Sequence, residues 1–275
     1  MIITLILLSL SIASSGLICF FTNTYTEWYF ILLYVLAIPL FFIAWMIIYI
    51  IMLWFISLFF SKKKKVKKPN LFAYWFVRQT AYLVLLLARV KVKRNKAEYP
   101  NVKTLIITNH TSNFDLLPLI WYSRPQPLNI ISKPSLFNIP IFGKFIYRSG
   151  FISIDRENDF NAVKSILRAS NTIKDNYASI LLCPEGTRNR NPENGLLEFK
   201  AGGFKIAYKP KCPITVVAIK NANLVKKNWW KKLYSTIYID ICEVIEYEKY
   251  EKWNTMELAA YSKKIIEEQL KTHDK

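Results

Sequence analysis

Two long apolar runs open the chain. They extend from Ile2 to Phe21 and from Trp28 to Phe60, and neither contains a charged side chain. At about 1.5 Å per residue, a helix over the first run reaches roughly 30 Å, the thickness of a bilayer's hydrocarbon core. The second would reach roughly 50 Å, so tilt, an interfacial extension or a kink at Pro39 must accommodate the excess. We predict a membrane-anchoring helix hairpin, which either spans the bilayer twice or is a re-entrant pair confined to one leaflet.

A cluster of lysines follows the second run. Six of the seven residues Lys62–Lys68 are lysine, whereas residues 1 to 60 contain no basic side chain and one acid, Glu27. Because basic loops stay on the cytoplasmic side of a membrane, the N-terminus and everything after the lysines are predicted to be cytoplasmic. A cleaved signal peptide is the alternative for the first run, but no basic side chain precedes its apolar stretch. We therefore divide the chain into residues 1–68, the hairpin with its polylysine collar, and residues 69–275.

The stretch from Leu71 to Arg94 is apolar but interrupted by Arg78, Gln79 and Arg89. Polar residues at these intervals argue against a third membrane span. A helix lying at the membrane interface and a helix packed on the following domain both fit the pattern.

Beyond Val90, short apolar runs alternate with helical patterns. The predicted strands are TLIITN, LNIISK, GFISID, ASILLCP, PITVVAI and TIYIDICEVI, which begin at residues 104, 128, 150, 178, 213 and 236. The predicted helices cover about 114–122, 136–147, 159–176, 200–208 and 255–271. This order predicts an α/β domain whose mainly parallel or mixed sheet is flanked by helices.

Charge and cysteine content narrow the possible functions. The net charge of +19 would suit a nucleic-acid-binding protein, but the lysines are concentrated beside an apolar run, where anionic lipid headgroups are the nearer partner. The four cysteines form no Cys-x-x-Cys pair, and only one histidine lies within the body of the chain. No metal site is therefore predicted, and the thiols are interpreted as buried, small apolar groups.

That histidine, His110, lies in the segment ITNHTSNFDLLP, residues 107 to 118. If a strand ends at Thr108 and a helix begins near Phe114, Asp115 lies in the first turn of that helix, where free amide groups and the helix dipole stabilise its carboxylate. The intervening turn can fold His110 back onto Asp115. A carboxylate bonded to one imidazole nitrogen leaves the other free to take a proton from a hydroxyl. No Gly-x-Ser-x-Gly nucleophile motif is present, so we assign that hydroxyl to a substrate. This segment alone is equally compatible with a histidine that only fills a turn.

Two further charged segments follow predicted strands. GFISIDR ends in Asp155 and Arg156, and CPEGTRNR contains Gly186, which allows a tight turn, and Arg188, whose planar fork suits a phosphate. Loops at strand ends of open α/β sheets form ligand sites. Each segment alone is also compatible with an ordinary charged surface loop.

Together these motifs resemble those of the 1-acylglycerol-3-phosphate acyltransferases and related glycerol-phosphate enzymes. The first motif, Asn-His-x-x-x-x-Asp, is present as NHTSNFD, the second as GFISIDR, the third as PEGTR from Pro184 to Arg188, and the fourth as CPITVVAI from Cys212. The stretches SKPSLFNIPIFGKF and FKAGGFKIA also fit. The resemblance covers roughly residues 100 to 222, and four motifs in order make it specific.

The resemblance implies an O-acyltransferase that makes phosphatidic acid. His110 would deprotonate the free hydroxyl of a lysophospholipid acceptor, which attacks an acyl-CoA or acyl carrier protein thioester, and Asp115 would orient His110. The acceptor-binding positions implied by the motifs are Arg156, Glu185, Gly186, Thr187 and Arg188, with Lys133 as a weaker candidate for the same basic pocket. No cofactor other than the thioester co-substrate is expected.

Several alternatives remain open at this stage. The acceptor is predicted to be 1-acylglycerol-3-phosphate, but another lysolipid or glycerol phosphate fits the same motifs. A thiol-based transferase using Cys183 is an alternative mechanism. A basic, membrane-anchored binding protein without catalysis would explain residues 1 to 68 but leaves the strand-end motifs without a role.

Overall fold

The computed structural model describes residues 1–22, 28–62, 66–123, 127–155 and 159–272. The chain divides into two compact units, Met1–Lys63 and Lys64–Lys275, and each is described by itself.

The first unit consists of helices α1 (Ile2–Phe21) and α2 (Trp28–Leu58), which pack against each other. Both are long and apolar enough to cross a membrane. Polar side chains link them: Ser15 Oγ donates to the Tyr34 carbonyl at 2.6 Å, and Trp45 Nε1 donates to Ser14 Oγ at 3.1 Å. Small polar residues of this kind often join apolar helices. The two predicted apolar runs thus form two paired helices.

The second unit is built on a mixed sheet, as the alternating pattern predicts. Within the described residues its seven strands are β1 Val90–Arg94, β2 Leu105–Thr108, β3 Leu128–Ser132, β4 Ile152–Ser153, β5 Ser179–Leu182, β6 Ile214–Lys220 and β7 Ser235–Ile245. Their order is β1-β7-β6-β2-β5-β3-β4. Five neighbours, from β6 to β4, run parallel, whereas β7 is antiparallel to β6, and β1 is parallel to β7. The carboxyl ends of the five parallel strands therefore lie at the same edge as the amino ends of β1 and β7.

Helices cover the sheet: α3 Leu71–Leu87, α4 Leu116–Tyr122, α5 Phe142–Arg148, α6 Asp159–Lys174, α7 Lys205–Tyr208, α8 Leu224–Lys227, α9 Tyr247–Tyr250 and α10 Thr255–Thr272. The α3 helix packs against α4 and α5 and buries most of one side. Of the two alternatives for the apolar stretch after the lysines, the helix packed on the domain is therefore the one observed. On the α6 and α10 side, the core includes Leu105, Ile107, Ile180, Phe204 and Tyr250, all fully buried.

All six predicted strands are present, but the sequence prediction missed β1. The preceding helix ends at Leu87, and Arg89 turns the chain with a φ of +52°. The residues VKVKR then pair with β7. Their alternating valines and lysines have the period of a strand.

Two predicted helices are interrupted. The one predicted over 136–147 is a 3-10 turn, Pro134–Asn138, followed by α5, because Pro140 lacks an amide donor and Ile141 has a φ of +60°. The one predicted over 200–208 begins as a 3-10 turn at Ala201–Phe204 and continues as α7.

Candidate active site

His110 lies just past the carboxyl end of the central strand β2. Every residue of β2 is buried, and β5 and β6 flank the strand on its two sides. A strand buried on both faces provides a rigid support for the loop that follows it. The side chain of His110 is 18 % exposed and is therefore within reach of a ligand.

The carboxylate of Asp115 is fully buried, and both of its oxygens accept hydrogen bonds. Its Oδ2 accepts hydrogen bonds from His110 Nδ1 at 2.8 Å and from the amides of Thr111 and Ser112 at 2.6 and 2.7 Å. Its Oδ1 accepts from the Thr111 hydroxyl at 3.2 Å. The turn does fold His110 back onto Asp115, but Asp115 is the residue before α4, and the amides that hold it belong to the turn instead of the helix.

The pairing fixes what the imidazole can do. Because Nδ1 faces an anion, the neutral ring carries its proton on Nδ1, and the lone pair of Nε2 is available to accept one. Asp115 also stabilises the imidazolium that forms when Nε2 takes that proton. The pair is thus arranged as a general base with its orienting carboxylate.

The loop after β5 holds the His110 backbone on both sides. Glu185 Oε1 accepts the His110 amide proton at 2.7 Å, and the Asn189 amide donates to the His110 carbonyl at 2.7 Å. The second oxygen of Glu185 accepts from the Leu197 amide at 3.2 Å. Burial raises the pKa of the Glu185 carboxyl, and its hydrogen bonds to the amides of His110 and Leu197 oppose that rise.

The remaining residues of the PEGTR motif lie further out. Gly186 has a φ of +73°, which explains the need for glycine in this turn, and Thr187 and Arg188 are exposed. Arg188 Nη1 donates to Asn113 Oδ1 at 3.2 Å, which places the guanidinium beside the His110–Asp115 loop. The structure therefore brings His110, Asp115, Glu185 and Arg188 together.

Lys200 is a basic residue at this loop that the sequence analysis did not single out. Its amide donates to the Pro184 carbonyl at 2.9 Å. A methyl group placed on Gly186 would lie 3.1 Å from Lys200 Cε, so the lysine side chain passes directly over the glycine. The available signal was its place in FKAGGFKIA, a stretch that fits the family.

Of the other two predicted basic residues, the described one is less well placed. Lys133 follows β3 and is exposed, but β3 is separated from β2 by β5. At about 4.8 Å per strand, its backbone lies roughly 10 Å from that of β2. Arg156 lies outside the described residues.

Asn109, directly before His110, is a second residue that the sequence analysis missed. Its side chain pairs with the backbone of Ile219 in both directions: Nδ2 donates to the carbonyl and Oδ1 accepts from the amide, each at 2.8 Å. The side chain therefore extends the pairing of β2 with β6 by one residue. Its position in the Asn-His motif was the available signal.

None of the four cysteines, all of them within the described residues, forms a disulfide bond. Only Cys212 is buried as predicted, whereas Cys19, Cys183 and Cys242 are partly buried. Burial raises the pKa of Cys212 and of Cys242 to about 12, so both remain thiols near neutral pH. No cluster of three or more His, Cys, Asp or Glu side chains suited to a metal ion occurs in the described part of the chain.

Comparison with known proteins gives consistent matches. A family model described as Acyltransferase matches residues 89–220. The 1-acyl-sn-glycerol-3-phosphate acyltransferase of Haemophilus influenzae is 32% identical over 169 residues, covering 61% of this chain and 68% of that protein. The enzyme of the same name from Escherichia coli is 32% identical over 173 residues, covering 62% and 68%.

A solved structure shares the fold. The crystal structure of the 1-acyl-sn-glycerophosphate acyltransferase from Thermotoga maritima superimposes with a TM-score of 0.62, covering 82% of this chain and 89% of that one at 18% identity.

Proposed function

The chain belongs to the 1-acyl-sn-glycerol-3-phosphate acyltransferase family, and we propose that it transfers an acyl chain from a thioester to the free hydroxyl of 1-acylglycerol-3-phosphate, forming phosphatidic acid. The observation that carries this proposal is the contact of His110 Nδ1 with buried Asp115, at the end of the central strand.

The proposed reaction needs no covalent enzyme intermediate. His110 Nε2 takes the proton of the acceptor hydroxyl while the hydroxyl oxygen attacks the thioester carbonyl carbon. When the carbon–sulfur bond breaks, the imidazolium returns the proton to the leaving thiolate. Asp115 stabilises the imidazolium between these two transfers.

We assign Glu185 a positioning role instead of the acceptor contact that the motif implied. Its carboxylate is buried and accepts backbone amide protons from His110 and Leu197. An anion held in this way fixes the backbone from which the His110 ring extends. Gly186 supports the same loop by adopting the turn that brings Glu185 inward.

The acceptor phosphate is assigned to the basic groups at the outer side of this loop. Arg188 is exposed and adjoins the His110–Asp115 loop through Asn113, and Lys200 passes over Gly186. A guanidinium can bind a phosphate with two parallel hydrogen bonds, and an ammonium adds charge. Thr187, also exposed, offers a hydroxyl beside them. Arg156 stays in the proposal on the strength of its motif, and Lys133 stays as a weaker candidate, because β5 separates its strand from β2.

We further propose that α1 and α2 anchor the protein in a cell membrane, with residues 69–275 on the cytoplasmic side. The support is the length and apolar character of the two helices and the six lysines in Lys62–Lys68. Anionic headgroups are the proposed partners of those lysines. An acceptor with one acyl chain resides in the same bilayer.

One assay tests the proposed function. The purified chain, reconstituted in vesicles, is given lysophosphatidate with acyl-CoA or acyl carrier protein thioester, and phosphatidic acid is measured by mass spectrometry. Parallel reactions with glycerol phosphate and lysophosphatidylcholine identify the acceptor class. We expect product from lysophosphatidate with at least one donor and none from the His110→Ala variant. A failure to acylate any of the three acceptors with either donor would refute the proposal.

A further inference from the structure

The connection between β6 and β7 exposes large apolar side chains among lysines. Its segment Lys226–Tyr234 has the sequence KKNWWKKLY, and we call it the Trp-Lys segment. Trp230 is 92% exposed, Leu233 79% and Tyr234 45%. A contiguous exposed apolar group rimmed by polar residues is typical of an interaction surface.

The charge of the Trp-Lys segment has one sign. Its four lysines, Lys226, Lys227, Lys231 and Lys232, are all exposed. The next acidic residue along the chain is Asp240, which is buried in β7. Aromatic and apolar side chains thus alternate with positive charges that the segment itself does not neutralise.

Contacts with the end of α3 and the start of β1 hold this surface. Arg89 donates to the Trp229 carbonyl, and its guanidinium lies 5.9 Å from the centre of the Trp229 ring. The Lys91 ammonium lies 3.5 Å from the centre of the Tyr234 ring. Leu86 and Leu87, the last two residues of α3, are also exposed. Basic and apolar groups from two separate parts of the chain therefore form one surface.

This surface lies at the same edge of the sheet as His110. The Trp-Lys segment follows the carboxyl end of β6, whose Ile219 is bonded to Asn109, and it precedes the amino end of β7. Since β1 is parallel to β7 and Val90 pairs with Ser235, Arg89 lies at that edge as well.

We propose that the Trp-Lys segment, with Arg89 and Lys91, docks the catalytic unit on an anionic lipid bilayer. Trp230 and Leu233 would enter the headgroup region, where amphipathic aromatic rings are favoured, and the lysines would contact lipid phosphates. Each lysine near an anionic surface strengthens binding by roughly fivefold. The alternation of apolar and cationic groups on one exposed surface fits this partner, because a bilayer presents both hydrocarbon and negative charge.

Photocrosslinking tests the docking without relying on acyl transfer. The full chain, with p-benzoylphenylalanine in place of Trp230, is reconstituted in vesicles of phosphatidylcholine and phosphatidylglycerol and irradiated. The matched control carries the same group in place of Met256, which is 73% exposed and follows β7 at the opposite edge of the sheet. We expect lipid adducts at position 230 and few at 256. Equal yields at the two positions, or an adduct at 230 with a second copy of the chain or with co-purified nucleic acid in place of lipid, would overturn the proposal.

A charge variant provides an independent readout. Changing Lys226, Lys227, Lys231 and Lys232 together to Gln should lower the lipid adduct at position 230 severalfold. Replacing phosphatidylglycerol by phosphatidylcholine should lower it for the unaltered segment in the same way. An adduct yield that is indifferent to both changes would exclude the anionic bilayer as the partner. Because these readouts count adducts, they would stand even if the proposed acyl transfer failed.

Discussion

The Glu185 carboxylate accepts the backbone amide proton of His110 at 2.7 Å, so a buried anion from one loop holds the peptide group of the proposed base in another. In Glu185→Gln only one side-chain oxygen remains, and it cannot accept from both His110 and Leu197. We expect kcat to fall about tenfold, the equivalent of about 1.4 kcal/mol, with the acceptor KM nearly unchanged. A rise in the acceptor KM at constant kcat would instead place Glu185 on the acceptor.

The pH dependence of the unfolding free energy should also depend on the Glu185 carboxylate. Because burial raises the pKa of Glu185 above its value in the unfolded chain, the folded state keeps its proton to higher pH. The unfolding free energy contributed by this group therefore falls as pH rises from about 4.3 through the raised pKa. Thermal unfolding in detergent should show this decline for the natural chain and a smaller one for Glu185→Gln. Parallel pH profiles of the two proteins would contradict the assignment.

His110→Ala should abolish nearly all turnover while leaving the acceptor Kd within about twofold, because the histidine acts on the barrier and not on binding. Asp115→Asn should retain the fold but lose most of kcat, since an amide cannot stabilise the imidazolium as the carboxylate does. Steady-state rates and equilibrium binding of lysophosphatidate measure both effects. An Ala variant with half the natural rate would exclude the proposed mechanism.

Substitution of Cys183 distinguishes direct acyl transfer from a mechanism with an acylated thiol. It lies two residues before Glu185 and is partly buried. If the acceptor hydroxyl attacks the thioester directly, Cys183→Ser should keep kcat within a few-fold. Mass spectrometry of the natural enzyme stopped during turnover should then show no acyl group on Cys183. An inactive serine variant together with a trapped acyl-Cys183 would establish the thiol mechanism.

Arg188→Ala should raise the acceptor KM more than about tenfold, because hydrogen bonds to a charged group typically contribute about 1.5 to 3 kcal/mol. Arg188→Lys should restore little, since an ammonium lacks the planar fork. Arg190, exposed two residues further on, provides the matched control, and its Ala variant should leave the KM unchanged. If Arg188→Ala weakens the thioester donor instead, the loop binds the carrier phosphates and the two pockets are reversed.

Asn109 and Asn95 form a pair of matched positions. Asn95 follows β1 and bonds to both backbone groups of Ile241, at 2.8 and 3.2 Å, as Asn109 does to Ile219. Either Ala variant leaves a backbone donor and acceptor unpaired, each at a cost of about 1 to 3 kcal/mol if it stays buried. We expect both to lower the melting temperature, but only Asn109→Ala to lower kcat, because only Asn109 adjoins His110. If Asn109→Ala and Asn95→Ala lowered kcat equally, the effect of Asn109 would be on stability alone.

The sequence predicted the parts of this site that depend on local spacing. His110 and Asp115 are five residues apart, and a short turn between a strand and a helix was enough to bring them together. The inward direction of Glu185 was not predictable, because it depends on how two loops that are 75 residues apart in sequence meet. Likewise, β1 was missed because its partner, β7, begins at Ser235 and is remote along the chain. The exposure of Trp230 was not predictable either. From sequence alone an apolar residue is assigned to the core, because the residues that surround it in the fold are not known.

The double hold on the His110 backbone, through Glu185 and Asn189, also has a kinetic consequence. The two loops cannot part without breaking both bonds, so substrates meet a base that is already in place. This is preorganisation and not induced fit at this point of the molecule. Acceptor binding should accordingly show a single phase whose rate rises linearly with concentration, without a slow isomerisation of these loops before chemistry.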